Sequence, residues 1–494
     1  MNNLVTLPVL LPLATGILLL LLHGRVRAQR LISLLSALGA LGLALYLTRV
    51  VWTDGIQVVQ AGGWAAPYGI TLAVDLFSGM MLVLASIIEL ATLVFLMRDS
   101  QLEQERVFLY PVLQFQMVGI NLSFVTGDLF NLFVAFEVLL MASYYLLTAG
   151  GKPGQLREGF KYLVINSVAS TLFLATIALL YGVTGTLNMA DAARKVAALA
   201  GEPIVTLIAI SFLIVFGLKG ALFPLYFWLP RSYYHAPPGI AALFAGMLTK
   251  VGIYALVRVF TLIFIHDPGF THTLILAIAG LTMLLGVLGA ISQMDVKAIL
   301  SYHIISQVGY MVKGLGIYTP LALAGTVFYI AHHIIVKAAL FLIAGIIVRI
   351  TGTTDLKRFS GLLASHPGLG LTFLATGLSL AGIPPFSGFF SKFVLLRAGV
   401  EAGTWGIVAV SLVVSLLTLF SMIKIYSRGF WGEATGELRP IPRLAYAQVM
   451  APVLLLLTLS VGMGLGAGRF MEFALATAEQ LMRPEAYIEA VLGR

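Results

Sequence analysis

Cysteine is absent from the 494-residue chain, which excludes disulfides, thiol catalysis, iron–sulfur clusters and cysteine zinc sites. Charge is scarce: Asp, Glu, Lys and Arg make up 10% of the residues, where soluble domains carry about 25%. No long polar segment separates the hydrophobic runs, so there is room for one membrane domain and for no sizeable soluble one. The N-terminus has no basic stretch ahead of its first apolar run, and Arg25, Arg27 and Arg30 come after it. The expectation is a retained first span rather than a cleaved signal. There is no G-x-x-x-x-G-K-[ST] phosphate loop and no H-E-x-x-H zinc pair. The chain is therefore expected to be no enzyme, and no cofactor is expected. The glycines at 462, 464, 466 and 468 mimic a nucleotide fingerprint, but they sit in an apolar terminal segment without a βαβ context and read as helix-packing residues.

What is present is apolar length. Hydrophobic residues make up 60% of the chain and the mean hydropathy is +0.99. At about 20 residues per crossing, the runs predict an all-α, multi-pass membrane protein with about fourteen transmembrane helices. They fall near 4–22, 31–51, 71–96, 107–126, 128–149, 160–183, 203–229, 239–262, 273–292, 296–316, 321–348, 367–398, 405–428 and 445–467. The polar break Thr126-Gly-Asp128 divides a stretch too long for one helix. With the N-terminus outside, inner loops hold sixteen Lys and Arg. Outer loops and the tail hold seven: Arg49, Arg194, Lys195, Lys313, Arg469, Arg483 and Arg494. The positive-inside bias then puts both termini outside a cell membrane. The net charge of +9 is spread over short loops, so it reads as topology and points to a lipid bilayer, not to nucleic acid.

Against this background five charged residues stand out. Glu137, Lys219, Lys250, Lys337 and Lys392 each lie deep in an apolar segment. One ionised side chain at the centre of a membrane helix costs roughly 2.5–3.5 kcal/mol on the lenient insertion scales, so five ask for on the order of 15 kcal/mol. A passive scaffold has no reason to carry them, whereas a pathway for protons or cations has. An ordinary solute transporter would show convergent polar groups for a substrate, not a procession of lysines.

Two segments are expected to be interrupted. One is Lys219 followed by Pro224 and Trp228-Leu-Pro230; the other is Ala381-Gly-Ile-Pro-Pro-Phe-Ser-Gly388, with its prolines at Pro384 and Pro385 and Lys392 just beyond. Proline removes a backbone donor and glycine lets the chain turn. Non-helical backbone at membrane depth is tolerated where it is buried in protein or lines a polar cavity, and such breaks mark ion sites in inverted-repeat transporters. Without a lysine beside each, both could be packing kinks.

Taken singly, Glu137 lies nine residues past Asp128, about 14 Å along a helix, and suits a partner for Lys219. An acid beside a buried lysine stabilises its charge, and moving that acid away favours proton release. Lys250 lies roughly 18 Å from its helix start, too deep to snorkel, and is placed to receive that proton. Lys337 follows His333 by four residues and shares its helical face, with His332 adjacent; these read as a relay, to which His303 is a weaker addition. Lys392 suits a terminal exchange site with the outer side. Asp75, Arg258 and Lys424 fall near span ends and read as interfacial, while Glu89 is deeper.

These residues resemble a family: the antiporter-like subunits shared by respiratory complex I, membrane-bound hydrogenases and Mrp-type multisubunit Na+/H+ antiporters. The resemblance runs over essentially the whole chain. Its strongest pieces are the Glu137 segment, Phe216-Gly-Leu-Lys-Gly-Ala-Leu-Phe-Pro-Leu-Tyr-Phe-Trp-Leu-Pro230, Ser232-Tyr-Tyr-His-Ala-Pro-Pro238 with Lys250, Asp295-Val-Lys-Ala-Ile-Leu-Ser-Tyr-His303 and Gly382-Ile-Pro-Pro-Phe-Ser-Gly-Phe-Phe-Ser-Lys392. It implies two inverted five-helix repeats, each with one broken helix, and a division into residues 1–106, 107–262, 273–430 and 431–494. It also implies a mid-membrane axis in which Glu137 and Lys219 are the ion pair, Lys250 the bridging lysine, Lys337 with His333 the central relay and Lys392 the terminal lysine. Within the family, Phe136-Glu-Val-Leu-Leu-Met-Ala-Ser-Tyr-Tyr145, Pro224-Leu-Tyr-Phe-Trp-Leu-Pro-Arg-Ser-Tyr-Tyr234 and the tail Pro484-Glu-Ala-Tyr-Ile-Glu-Ala-Val-Leu492 are similar to the D subunits of the Mrp branch. That branch implies other membrane subunits as partners, with protons and Na+ as the transported ions. The alternative is a proton-pumping membrane subunit of a complex I-like NADH:quinone oxidoreductase or a membrane-bound hydrogenase.

Overall fold

A computed structural model describes residues 3–99, 108–435 and 438–493. Arg494, counted above with the tail, and Arg106, one of the sixteen inner-loop charges, lie outside these residues, as does the expected boundary at 106–107. Helices dominate. The first are α1 (Leu7–Leu21), α2 (Val26–Asp54), α3 (Leu76–Asp99), α4 (Leu109–Val125), α5 (Leu129–Thr148) and α6 (Pro153–Thr184). A short amphipathic helix, α7 (Met189–Ala198), precedes the first broken pair, α8 (Pro203–Gly220) and α9 (Leu229–His235). Then come α10 (Pro238–Leu262), α11 (Pro268–Ser292), α12 (Val296–Ile317), α13 (Pro320–Thr351) and the single turn α14 (Leu362–Ser365). The second broken pair is α15 (Pro367–Ala381) and α16 (Ser387–Glu401). The chain continues through α17 (Trp405–Phe430), α18 (Arg443–Leu465), α19 (Ala467–Leu481) and α20 (Pro484–Leu492).

Eleven of these helices are long and apolar enough to cross a bilayer. The shorter α4 and α15, and α12 with its lysines, complete the fourteen expected positions. One feature was not expected. Strand β1 (Gln57–Gln60) pairs antiparallel with β2 (Thr71–Val74), Gln57 opposite Val74 and Gln60 opposite Thr71. Residues 71–74, read as the start of the third span, are thus a buried strand that leads into α3 through Asp75.

Position in the bundle follows composition. Helices α10 and α13 are buried almost completely, and their charged and polar groups, among them Lys250, Arg258, His333 and Lys337, are enclosed with them. Helix α13 is the hub, touching α3, α10, α12, α15, α16, α18 and α19. Helices α1, α2, α17 and α18 bury only about a third of their apolar windows and turn leucines such as Leu31, Leu35, Leu412 and Leu416 outward, where lipid replaces water as the solvent. Lys313, counted above among outer-loop charges, is fully buried near the end of α12. Removing it from the outer count strengthens the charge bias.

Helices α11 and α12 approach so closely that only glycine fits between them. A Cβ on Gly309 would stand 2.7 Å from the Ala279 carbonyl and 2.8 Å from the Met283 nitrogen, well inside van der Waals contact. Small residues that let backbones meet drive helix association in lipid. Gly309→Val is expected to destabilise the fold by about 1–3 kcal/mol, seen as earlier thermal unfolding of the purified complex. An unchanged unfolding curve would mean that α11 and α12 slide apart at no cost.

Candidate proton-transfer site

The site begins where α8 stops. Ala221 takes a left-handed backbone with φ 61°, and Pro224 ends any chance of resuming the helix at once. Backbone groups freed by the break find partners: Trp228 Nε1 donates to Leu218 O at 3.0 Å, and the Phe223 amide donates to Thr282 Oγ1 of α11 at 3.0 Å. Lys219 lies on the last turn of α8, buried. Its ammonium donates to Ser170 Oγ of α6 at 2.9 Å and lies 5.4 Å from the centre of the Phe136 ring. The carbonyl end of a helix carries partial negative charge, which favours a cation there.

The second break repeats the device. Gly382 has φ 92°, a conformation glycine reaches without strain, and Pro384 and Pro385 follow. Both breaks contain a cis X–Pro bond, at Phe223–Pro224 and Pro384–Pro385. Lys392 of α16 reaches back to the stump of α15 and donates to Ala381 O at 3.0 Å; its ammonium also lies 4.9 Å from the Tyr310 ring centre. The first turn of α16 packs so tightly that a Cβ on Gly388 would meet His332 Cε1 at 2.8 Å. His332 Nδ1 bonds Ser387 Oγ at 2.8 Å, and Ser460 of α18 bonds both Ser387 and Ser379 at 2.9 Å.

Between the breaks lie Lys250, His333, Lys337 and His303, all fully buried. Lys250 follows one wide turn of π-helix, Phe244–Leu248, and its ammonium donates to Ala245 O, five residues back. Such turns leave a carbonyl without its usual helical donor, and the lysine supplies one. Lys337 Nζ and both ring nitrogens of His333 have no protein partner among the described residues. Lys250 and Lys337 are close enough to His333, and to one another, for their charges to interact. His303 feels Lys337 and Lys392 in the same way, and its Nε2 bonds Ser421 Oγ. Buried polar groups without a protein partner are normally satisfied by ordered water, so this stretch is suited to water-bridged transfer.

Several expectations change. Glu137 is half-buried on α5, with Oε1 unpartnered among the described residues. It lies near enough to Lys219 for their charges to interact, yet the polar contact of Lys219 is Ser170 rather than the carboxylate. Asp75 and Arg258, expected at the interface, are buried and bonded to each other at 2.5 Å. Glu89 is buried and accepts from Gln114 at 2.8 Å. Lys424 donates to the carbonyls of Ile291 and Gln293, both at 2.7 Å, and so caps the end of α11 rather than facing lipid headgroups. Ser170, Ser387 and Tyr310 escaped sequence reasoning, because a lone hydroxyl in an apolar helix has no distinguishing spacing. Among the described residues no cluster of three or more His, Asp or Glu side chains is placed to hold a metal ion.

Comparison with known proteins bears on this arrangement. The membrane-domain family described as NADH:quinone oxidoreductase/Mrp antiporter matches residues 126–418, a stretch holding every residue of the axis. The D subunit of the Na+/H+ antiporter of Alkalihalophilus pseudofirmus is 54% identical over 492 residues, covering 100% of both chains. The protein of the same name from Bacillus subtilis is 44% identical over 494 residues, again with 100% coverage of each. Among solved structures, a chain of the Mrp complex from Dietzia sp. superposes with a TM-score of 0.94 at 32% identity over 100% of both chains.

Proposed function

The chain belongs to the NADH:quinone oxidoreductase/Mrp antiporter family of membrane subunits, and from that premise we propose that it carries protons along the buried axis Glu137, Lys219, Lys250, His333/Lys337 and Lys392. It is a multi-pass subunit, of type D, in a multisubunit Na+/H+ antiporter. The observation that carries the proton route is the pair of broken helices, each holding a buried lysine at a carbonyl-ended stump, with His333 and Lys337, unpartnered among the described residues, between them. A lysine at each end provides two groups that gain and lose a proton, and bridging water covers the gaps that exceed hydrogen-bond reach. Glu137 sets the charge balance at Lys219: with the carboxylate near, the ammonium is favoured, and without it the proton moves on toward Lys250. His303 and His332 support the relay, and Pro224, Pro384 and Pro385 hold the stumps open.

The finer features of this reading are the division at 1–106, 107–262, 273–430 and 431–494, with the two middle parts as inverted repeats around one broken helix each, and a cell-membrane orientation with both termini outside. The bias of Lys and Arg toward one set of loops supports that orientation.

The test is Na+-dependent dissipation of a pH gradient in everted vesicles from a strain without its own antiporters, expressing this chain with its partner subunits. Glu137→Ala is expected to lower the rate by roughly tenfold, the size of one modest coupling free energy. A variant that runs at the parental rate would remove Glu137 from the route. Proton pumping that follows an added electron donor and ignores Na+ would move the chain to a redox-driven complex.

A further inference from the structure

Helices α12 and α17 run antiparallel and meet along a line of polar side chains. His303 Nε2 bonds Ser421 Oγ, and Gln307 Nε2 donates to Thr418 Oγ1 at 3.4 Å. Tyr310 Oη bonds Ser415 Oγ at 2.7 Å, and Lys313 Nζ donates to Ser411 Oγ at 2.9 Å. The four positions on α12 follow one another at intervals of three or four, so they share one face; those on α17 do the same in reverse order. The hydroxyls of Ser411 and Thr418 donate to carbonyls of their own helix, at 2.6 and 2.8 Å, which leaves their lone pairs facing α12. This is a ladder from His303, beside the central relay, to Lys313, four residues before the last residue of α12. Ser411 in turn lies six residues into α17. Both ends of the ladder's last rung are therefore within about 10 Å of the 318–319 and 402–404 turns at one face of the bundle.

We propose that this ladder is the route by which the axis exchanges protons with that face, with Lys313 as its final proton-carrying residue. Lys313 is fully buried, and Ser411 is its one hydrogen-bonded partner among the described residues; the axis described above does not use it. Lys392 touches the ladder at Tyr310, over whose ring its ammonium lies, and Tyr310 stacks on Tyr329 with ring centres 5.2 Å apart. Transfer is balanced: Lys392 gives up one proton and becomes an amine, each hydroxyl and bridging water accepts one proton and releases another, and the Lys313 amine becomes an ammonium. The net result moves one positive charge between the two lysines. Lys313 then releases its proton at the turns. None of these rungs is a carboxylate, and the last is a lysine, so the ladder offers a hydrated sodium ion no anionic ligand. Its hydroxyls and terminal lysine favour protons.

This inference rests on the proton axis proposed above, and the experiment separates the two. In the same vesicles, Lys313→Met is expected to slow Na+-dependent ΔpH loss by about 100-fold, the lower end of the range for removing a positioned proton carrier. Lys313→Arg is expected to be as slow, because guanidinium keeps its charge and does not release the proton. Tyr310→Phe, which keeps the ring over Lys392 and removes only the hydroxyl, is expected to give roughly a threefold to tenfold loss. Assembly is checked by copurification of the partner subunits. Where Lys313→Met does not assemble, Tyr310→Phe and Ser411→Ala decide. Full activity of Lys313→Arg, or of Tyr310→Phe together with Ser411→Ala, would overturn the ladder while Glu137→Ala remains slow. If Lys219→Ala also ran at the parental rate, the axis itself would fail.

Discussion

Lys219→Ala is expected to cut Na+-dependent ΔpH dissipation by about 100-fold or more, within the range seen when a positioned proton carrier is removed, while the complex still assembles. The reason is local. Lys219 is the titratable group at the first helix break, its ammonium held by Ser170 at 2.9 Å and by the carbonyl end of α8. Alanine leaves the break, Trp228 and Thr282 in place, so the fold keeps its hydrogen bonds. Lys219→Arg is expected to be nearly as inactive, since it restores the charge without a proton that can leave. The measurement is the vesicle assay together with quantified assembly. An alanine variant that transports at the parental rate would show that the axis does not run through α8, whatever becomes of its other members.

The second large effect concerns stability. Asp75 and Arg258 form a buried pair at 2.5 Å, with Asp75 Oδ1 also accepting from the Ser78 amide at 2.9 Å and Arg258 Nη2 donating to Tyr254 Oη at 3.2 Å. Arg258 further lies 5.2 Å from the Tyr487 ring centre. Removing one member of a buried pair strands the other charge at a cost of about 3–5 kcal/mol, whereas removing both together is far milder. Arg258→Met is therefore expected to shorten sharply the half-life of the purified complex on heating, and Asp75→Asn with Arg258→Met to recover most of the loss. A double variant as unstable as the single one would mean that Arg258 acts through packing on Tyr254 and Tyr487 rather than through its charge.

The membrane makes some features legible and hides others. A lysine or glutamate inside an apolar run is expensive enough to be conspicuous, and a proline next to it marks a break, so the deep charges and both stumps could be read from residue order. Lys313 misled for the same reason: near a span end it counts as a loop charge, and only the packing of α12 against α17 shows it to be enclosed. The α12–α17 ladder was invisible because single Ser, Thr, Gln and Tyr residues cost little in a helix, and their alignment depends on the register of two helices about a hundred residues apart. The β1–β2 pair was hidden because Thr71-Leu-Ala-Val74 continues smoothly into the apolar run of α3. The contact of Lys219 with Ser170 joins α8 to α6, a pairing that periodicity within either helix does not reveal.

The docking of α20 also has a bearing on how the fold is completed. Gln60 Nε2 donates to Val491 O at 3.1 Å, across 431 positions of chain, and Tyr487 covers the Asp75–Arg258 pair. Residues 75 and 258 precede α20 in the chain by more than two hundred positions. Until α20 docks, a paired charge inside the bundle lies under an unfinished cover. Closing that cover depends on the nine-residue helix α20. At this corner the fold is completed by a segment that lies far along the chain from both charges it covers.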